Sequence, residues 1–314
     1  MTHRTAILAS IMVAACNGRP PSDEHSTSDS QGESGEVFQT ELVRGMVRVP
    51  AGPFIRGCIP EDVETRDILG GPQGCWSEPE DFVLLDVPHR EITLSEFWID
   101  QYEATRDDWD ACVEAGICEH TSLFSQPSAE YPNHPVSFIT WHAARDYCVW
   151  RGKRLPTEAE WEKAARGTDG RIFPWGNEDP ACDTSNILFT KYTDVPSPEE
   201  AERCNSREQE PVDAHPLDRS PYGVIGMHGN VQEWTADWAD EEYYATSPDA
   251  DPPGPPEGNT GSHDYRIIRG SYFGSASAFT FRRLWFDPDE AQTRIGFRCA
   301  SSRHPDEIED PTSE

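Results

Sequence analysis

The chain has 314 residues, of which 57 are acidic and 26 basic, for a formal net charge of −31. Nucleic acid and anionic membrane surfaces repel such a chain, so neither is an expected partner, whereas an oxygen-ligated cation such as calcium is compatible with it. Nine cysteines are more than a reducing compartment favours and point to export, where they can pair.

The first element is a signal. Met1-Thr2-His3-Arg4 is basic, and Ala6 to Ala15 is apolar or small apart from Ser10. The stretch is too short to span a bilayer but has the layout of a secretory leader. It ends in Val13-Ala14-Ala15-Cys16, which resembles a bacterial lipobox and so implies a lipoprotein signal peptide over 1–15 and lipid on Cys16. An ordinary signal with an incidental cysteine is the alternative. Residues 16–42 are rich in Ser, Asp, Glu and Gly, cannot bury a core, and read as a flexible acidic tether. The expected location is the bacterial cell envelope, with membrane contact through the lipid alone.

One domain is expected over 43–302, followed by an acidic tail over 303–314. Met46 to Pro50 and Arg90 to Leu94 alternate like strands. Thr105 is placed to cap a helix through Cys112 that Gly116 stops, with Asp107 and Asp108 at its positive end. Thr140 to Trp150 reads as a second helix ended by Gly152. Thr157 and Glu160 form a capping box that opens a third, ended by Gly167. The remainder, with 23 Gly and 27 Pro in the chain, reads as turns and short strands. The fold class is therefore α+β, irregular and loop-rich.

Metalloprotease, nucleophile-elbow, phosphate-loop and EF-hand signatures are all missing. His142 and Asp146 share a helical face, which reads as a solvated pair. His89, His134, His215 and His228 are scattered, and a two-histidine, one-carboxylate iron site has no support in the spacing. Trp76, Trp238, Tyr243, Tyr244 and Trp285 are candidates for an aromatic surface patch or for core. No Cys-x-x-Cys occurs, which argues against zinc ribbons and thioredoxin-like chemistry.

A series of segments is more distinctive: Met46 to Phe54, Phe97 to Thr105, His134-Pro135-Val136, Gly152-Lys153-Arg154-Leu155-Pro156-Thr157-Glu158-Ala159-Glu160-Trp161, Phe173-Pro174-Trp175-Gly176, Gly229-Asn230-Val231-Gln232-Glu233-Trp234, Arg266 to Ser271, and Gly296-Phe297-Arg298-Cys299. In this order they resemble the formylglycine-generating enzymes, also called sulfatase-modifying factors. The resemblance implies a compact, irregular fold related to C-type lectins. It also implies an oxygen-dependent oxidation of a sulfatase cysteine, with copper held by two cysteines after an Arg-x-x-Arg-Gly-Gly-Ser-like motif, whose Gly-Gly is reduced here to Gly270 alone.

This chain departs from the family there. Counting from Ser271 puts Gly274 and Phe279 at the two cysteine positions, and no cysteine lies between Cys204 and Cys299. Copper is therefore not expected, because soft Cu(I) wants thiolates. The resemblance further implies a Cys148–Cys299 bridge. Proximity suggests Cys112–Cys118, Cys182–Cys204 and Cys58–Cys75, with Cys16 left to lipid. Two calcium sites are implied, one at Asn186 and Ile187, the other at Gly229, Val231 and Glu233. At the second, Gly226 stands where the family supplies a side-chain ligand. The expected function is a non-catalytic binding or scaffolding module whose partner is an unknown envelope protein or surface ligand. An oxidoreductase of the same family, making formylglycine or running another metal-dependent oxidation, is the alternative.

Overall fold

The computed structural model describes residues 40–59, 83–84, 88–120, 130–178, 180–181, 184–186, 208–258, 264–273, 279–309 and 311–312. Cys16, Cys75, Trp76, Cys182, Ile187, Cys204 and Gly274 lie outside them.

The chain begins with the short strands β1 (Leu42–Val43), β2 (Met46–Val49) and β3 (Gly52–Arg56), then β4 (Val83–Leu84), β5 (Arg90–Leu94) and β6 (Phe97–Asp100). β3 and β5 form an antiparallel pair in which Ile92 and Leu94 turn inward while Glu91 and Thr93 face solvent, as the alternation requires. β2 pairs with β6 in the register Val47↔Ile99, and β11 (Ala300–Ser301) joins the far side of β6. This sheet is covered on both faces. Val47, Val49, Phe97 and Ile99 enter the main core, while Met46 and Trp98 pack on the opposite side against Ile308.

That last contact ties the start of the acidic tail to the domain. Arg44 donates to the Pro305 and Ile308 carbonyls, His304 caps the 3-10 turn Pro305–Glu307, and Ile308 is buried. One isoleucine in a polar run is enough to dock it when a hydrophobic sheet face is waiting.

The three expected helices are present as α1 (Arg106–Glu114), α2 (Trp141–Trp150) and α3 (Glu158–Arg166). Thr105, Thr140 and Thr157 each accept a first-turn backbone N–H, which satisfies a donor the helix cannot. α1 and α3 carry reciprocal boxes, with Asp108 and Glu160 returning to the cap nitrogens. Gly167 ends α3 at φ +71, and a Cβ there would lie 2.7 Å from Pro221 Cγ. His142 does not pair with Asp146: it meets Asp289, and Asp146 takes Arg145. Both partners are exposed in each case, so solvent screening leaves such pairs free to choose other neighbours.

β7 (Gln232–Trp238), the short helix α4 (Tyr243–Thr246), β8 (Arg266–Arg269), β9 (Arg283–Phe286) and β10 (Ile295–Gly296) complete the fold. The second sheet runs β10-β7-β8-β9-β4, with β10 parallel to β7 and a bulge in β7 between Trp234 and Trp238. The bridges Cys148–Cys299 and Cys112–Cys118 are formed. Cys58 is also disulfide-bonded, to a residue outside the described ones.

The aromatic candidates do not form one patch. Tyr243 and Tyr244 are buried. Trp238 pairs with Arg266 across β7–β8, whereas Trp285 pairs with Ile267, the next residue along β8. Successive strand residues point to opposite faces, so these two tryptophans are on opposite sides of the sheet. Trp238 stacks on the Arg266 guanidinium, which also lies over Trp141, and Trp285 packs on Tyr265. Among the described residues, no helix is long and apolar enough to cross a membrane.

Candidate functional site

α3 is buried on every side although it reads Glu-Ala-Glu-Trp-Glu-Lys-Ala-Ala-Arg. Burying charge is tolerable only when each group is paired and hydrogen-bonded. Glu158 receives Arg283 through Nε at 2.8 Å and Nη2 at 3.0 Å, and Arg269 Nη1 at 3.0 Å. Glu162 accepts from Arg269 Nη2 at 2.8 Å, Arg166 Nη1 at 2.9 Å, the Tyr244 hydroxyl at 2.7 Å and the Gly57 amide at 2.7 Å. Burial alone would raise this carboxyl, but Arg269 and Arg166 hold its pKa below the usual range.

Arg269 does more than neutralise. Its Nη2 donates to Thr280 O at 2.7 Å and its Nη1 to Phe281 O at 3.4 Å. Arg269 stands just before the segment 270–279 and these carbonyls just after it, so one buried guanidinium ties the two ends together. On the near side, Ser271 N donates to His228 O and Phe273 N to Asn230 O. On the far side, Thr280 N donates to Ile172 O.

This segment is where the family places its cysteines. Phe279 is 3% exposed, lies 5.1 Å from the Phe281 ring and 5.8 Å from Phe173, and packs with Cys58 and Ile172. Phe279 is thus a core side chain. Beside it, His228 is buried with Nδ1 2.9 Å from Ser185 Oγ, its ring edge-on to Phe173 and to the partly exposed Trp175. The buried Ser271 hydroxyl has no hydrogen-bond partner among the described residues.

Of the residues named for calcium, Gly229 lies against the Asn186 backbone, and Ile187 is outside the described residues. Asn230 adopts φ +66, a conformation Asn tolerates better than most side chains. Its Oδ1 accepts from Asn186 Nδ2 and the Glu210 amide, and its Nδ2 donates to Glu210 O and Glu103 Oε1. Gly229 is needed because a Cβ there would lie 2.6 Å from Asn186 O. Glu233 accepts from Arg298 Nη2 at 2.7 Å through Oε1, and from Arg298 Nε and Trp161 Nε1, each at 2.8 Å, through Oε2. Val231 is buried.

Sequence reading missed two acids here. Burial pushes Glu103 up to about 8 against the pull of Arg298, and Asp218 up to about 7 against the His228 amide that it accepts. Glu103 was inside a quoted motif, and nothing in the pattern marks either acid as buried. Among the described residues, no three His, Cys, Asp or Glu side chains converge as metal ligands. His215 pairs with Glu210, and His134 packs edge-on against Tyr131.

Among the described residues, short helices and three small sheets around a buried arginine–glutamate core, with a clamped segment beside an aromatic wall, give a mixed, loop-rich architecture. Residues 32–303 match the family described as "Sulfatase-modifying factor enzyme 1-like domain", and the chain belongs to it. It is similar to the formylglycine-generating enzyme of Thermomonospora curvata, 29% identical over 83% of this chain and 94% of that protein. It is also similar to the "Inactive C-alpha-formylglycine-generating enzyme 2" of Bos taurus, 38% identical over 55% of this chain and 53% of that one. The chain spans about half the length of the Bos taurus relatives it matches. In fold it resembles the solved structure of PvdO from Pseudomonas aeruginosa, with a TM-score of 0.58 and 23% identity over 82% of this chain and 93% of that one.

Proposed function

We propose that this chain is a lipid-anchored, non-catalytic member of its family that binds or scaffolds a partner at the bacterial envelope surface. Phe279 carries the reading. At the second cysteine position stands a phenyl ring packed into the core, and the sequence offers no other cysteine between Cys204 and Cys299. Two thiolates beside a substrate thiol are what Cu(I) chemistry needs, and a phenyl ring supplies no ligand. That a relative is named inactive makes a family member without the oxidation a familiar outcome. The lipid anchor rests on Val13-Ala14-Ala15-Cys16, and the acidic tether from 16 to 42 would let the domain reach partners beyond the membrane surface.

The test is incubation of the purified chain with a sulfatase-type cysteine peptide, with and without copper, followed by mass spectrometry. The peptide thiol should persist. Oxygen-dependent conversion to formylglycine would overturn the binding reading and promote the oxidoreductase. That second reading draws on one observation: Ser271, with a buried hydroxyl, follows the clamp of Arg269 and is hydrogen-bonded through its amide to His228, itself paired with Ser185. For the binding reading, the acylated protein is used to pull partners from its native envelope, and the same pull-down with a soluble form lacking Cys16 shows which contacts depend on the membrane.

A further inference from the structure

The loop from Gly226 to Glu233 is where family resemblance places a second calcium ion. The ion would be held by the Gly229 and Val231 carbonyls, the Glu233 carboxylate and a side chain at 226. Calcium takes about six to eight oxygens and prefers anionic ones. In this chain the Glu233 carboxylate already accepts three donors, two from Arg298 and one from Trp161. Arg298 Nη2 further donates to the Ile225 and Gly226 carbonyls at 3.0 and 3.3 Å, and Nη1 to Gln101 O at 3.0 Å. The oxygens at the start of the loop are thus turned toward a guanidinium that is itself fully buried.

Position 226 cannot restore the missing ligand. Gly226 sits at φ +74, and a Cβ there would lie 2.7 Å from Glu103 Oε2. The Glu103 carboxyl occupies the path that a side chain from 226 would follow, and is held there by Asn230 Nδ2. We infer that Arg298 is the built-in cation of this loop, that Glu103 fills the ligand position left by Gly226, and that the loop is held without a metal ion. A dication placed beside a fixed guanidinium would meet like charge at short range in a low-dielectric interior. The inference stands apart from the proposed binding role and concerns only what holds the loop.

The test counts calcium on the stripped, full-length protein by isothermal titration. The expected result is at most one ion per chain, and any ion that binds is lost in Asn186→Ala. Two ions per chain, or one ion that survives Asn186→Ala, would overturn the inference. A gain-of-function arm makes the residue assignment falsifiable. Gly226→Asp combined with Glu103→Ala and Arg298→Met frees the path, removes the fixed cation and adds a carboxylate, and should bind one ion more than the parent with a calcium-dependent rise in thermal midpoint. A folded triple variant that binds no additional ion refutes the assignment of Arg298, Gly226 and Glu103. If that variant does not fold, the stoichiometry of the unaltered chain decides.

Discussion

Cys148 and Cys299 are joined across 151 residues, whereas Cys112 and Cys118 are separated by six. If a bridge stabilises by restricting the unfolded chain, its contribution grows with the logarithm of the loop it closes. The long bridge is then worth ~5 kcal/mol and the short one ~2 kcal/mol. Replacing each pair by alanines isolates the term: Cys148→Ala with Cys299→Ala, and Cys112→Ala with Cys118→Ala. Cys148, Cys299 and Cys112 are fully buried and Cys118 partly so, so losing two sulfurs from the core costs about 1–2 kcal/mol in either double variant. The difference between them, ~3 kcal/mol, therefore reports the loop. Equilibrium urea unfolding reads it directly, and the long-bridge variant should also show the larger rise in m as its unfolded state expands. Equal losses, or a greater loss from the short bridge, would refute the unfolded-state account. The bridges would then act through local packing around Tyr147 and Phe297.

Arg269→Met should destabilise the domain by about 3–5 kcal/mol in the same assay, because Glu158 and Glu162 each lose a buried partner. Arg269→Lys should recover only a minor part, since one ammonium cannot span both carboxylates and the Thr280 and Phe281 carbonyls. Asp218 is one source of the pH dependence, beside Asp237, which burial also raises to about 7. The Asp218 pKa is raised from 3.8 to about 7 by burial, so the folded state holds a proton the unfolded state has released, and stability is lost as pH rises through that window. Glu103, raised from 4.5 to about 8, extends the fall upward. Asp218→Asn should reduce the slope of the profile between pH 4 and 7, and identical slopes in wild type and variant would exclude Asp218 as a source. Intact mass of protein purified from membranes should show acylation at Cys16 and no residues before it, and Cys16→Ser should release the chain from the membrane fraction. Calcium should raise the thermal midpoint modestly through the Asn186 segment, by mass action on the folded state, and no difference between excess calcium and excess chelator would remove that site.

Local rules legible in the chain account for the helices and their ends. Thr105, Thr140 and Thr157 each precede helical turns whose free amides need an acceptor, and Gly116, Gly152 and Gly167 each adopt positive φ where a side chain would strain the backbone. The alternation of β5 and the ordered motifs were equally readable, because they depend on residues near one another in sequence. What the sequence could not convey is which charged residues leave water. Glu158, Glu162, Lys163 and Arg166 look like a solvated helix face until distant segments enclose them: Arg269, Arg283 and Tyr244 from later in the chain take the two glutamates, while the Pro50, Gly52 and Gly57 carbonyls from earlier in it take Lys163 and Arg166. The same holds for Ile308, which reads as part of a polar tail until the outer face of β2 and β6 gives it a surface, and for Trp238 and Trp285, neighbours by type but divided by the sheet. Burial is a property of pairs of distant segments, so it is settled by tertiary packing. The absent cysteines, by contrast, were plain in the sequence, and the structure added that Phe279 fills its position with core.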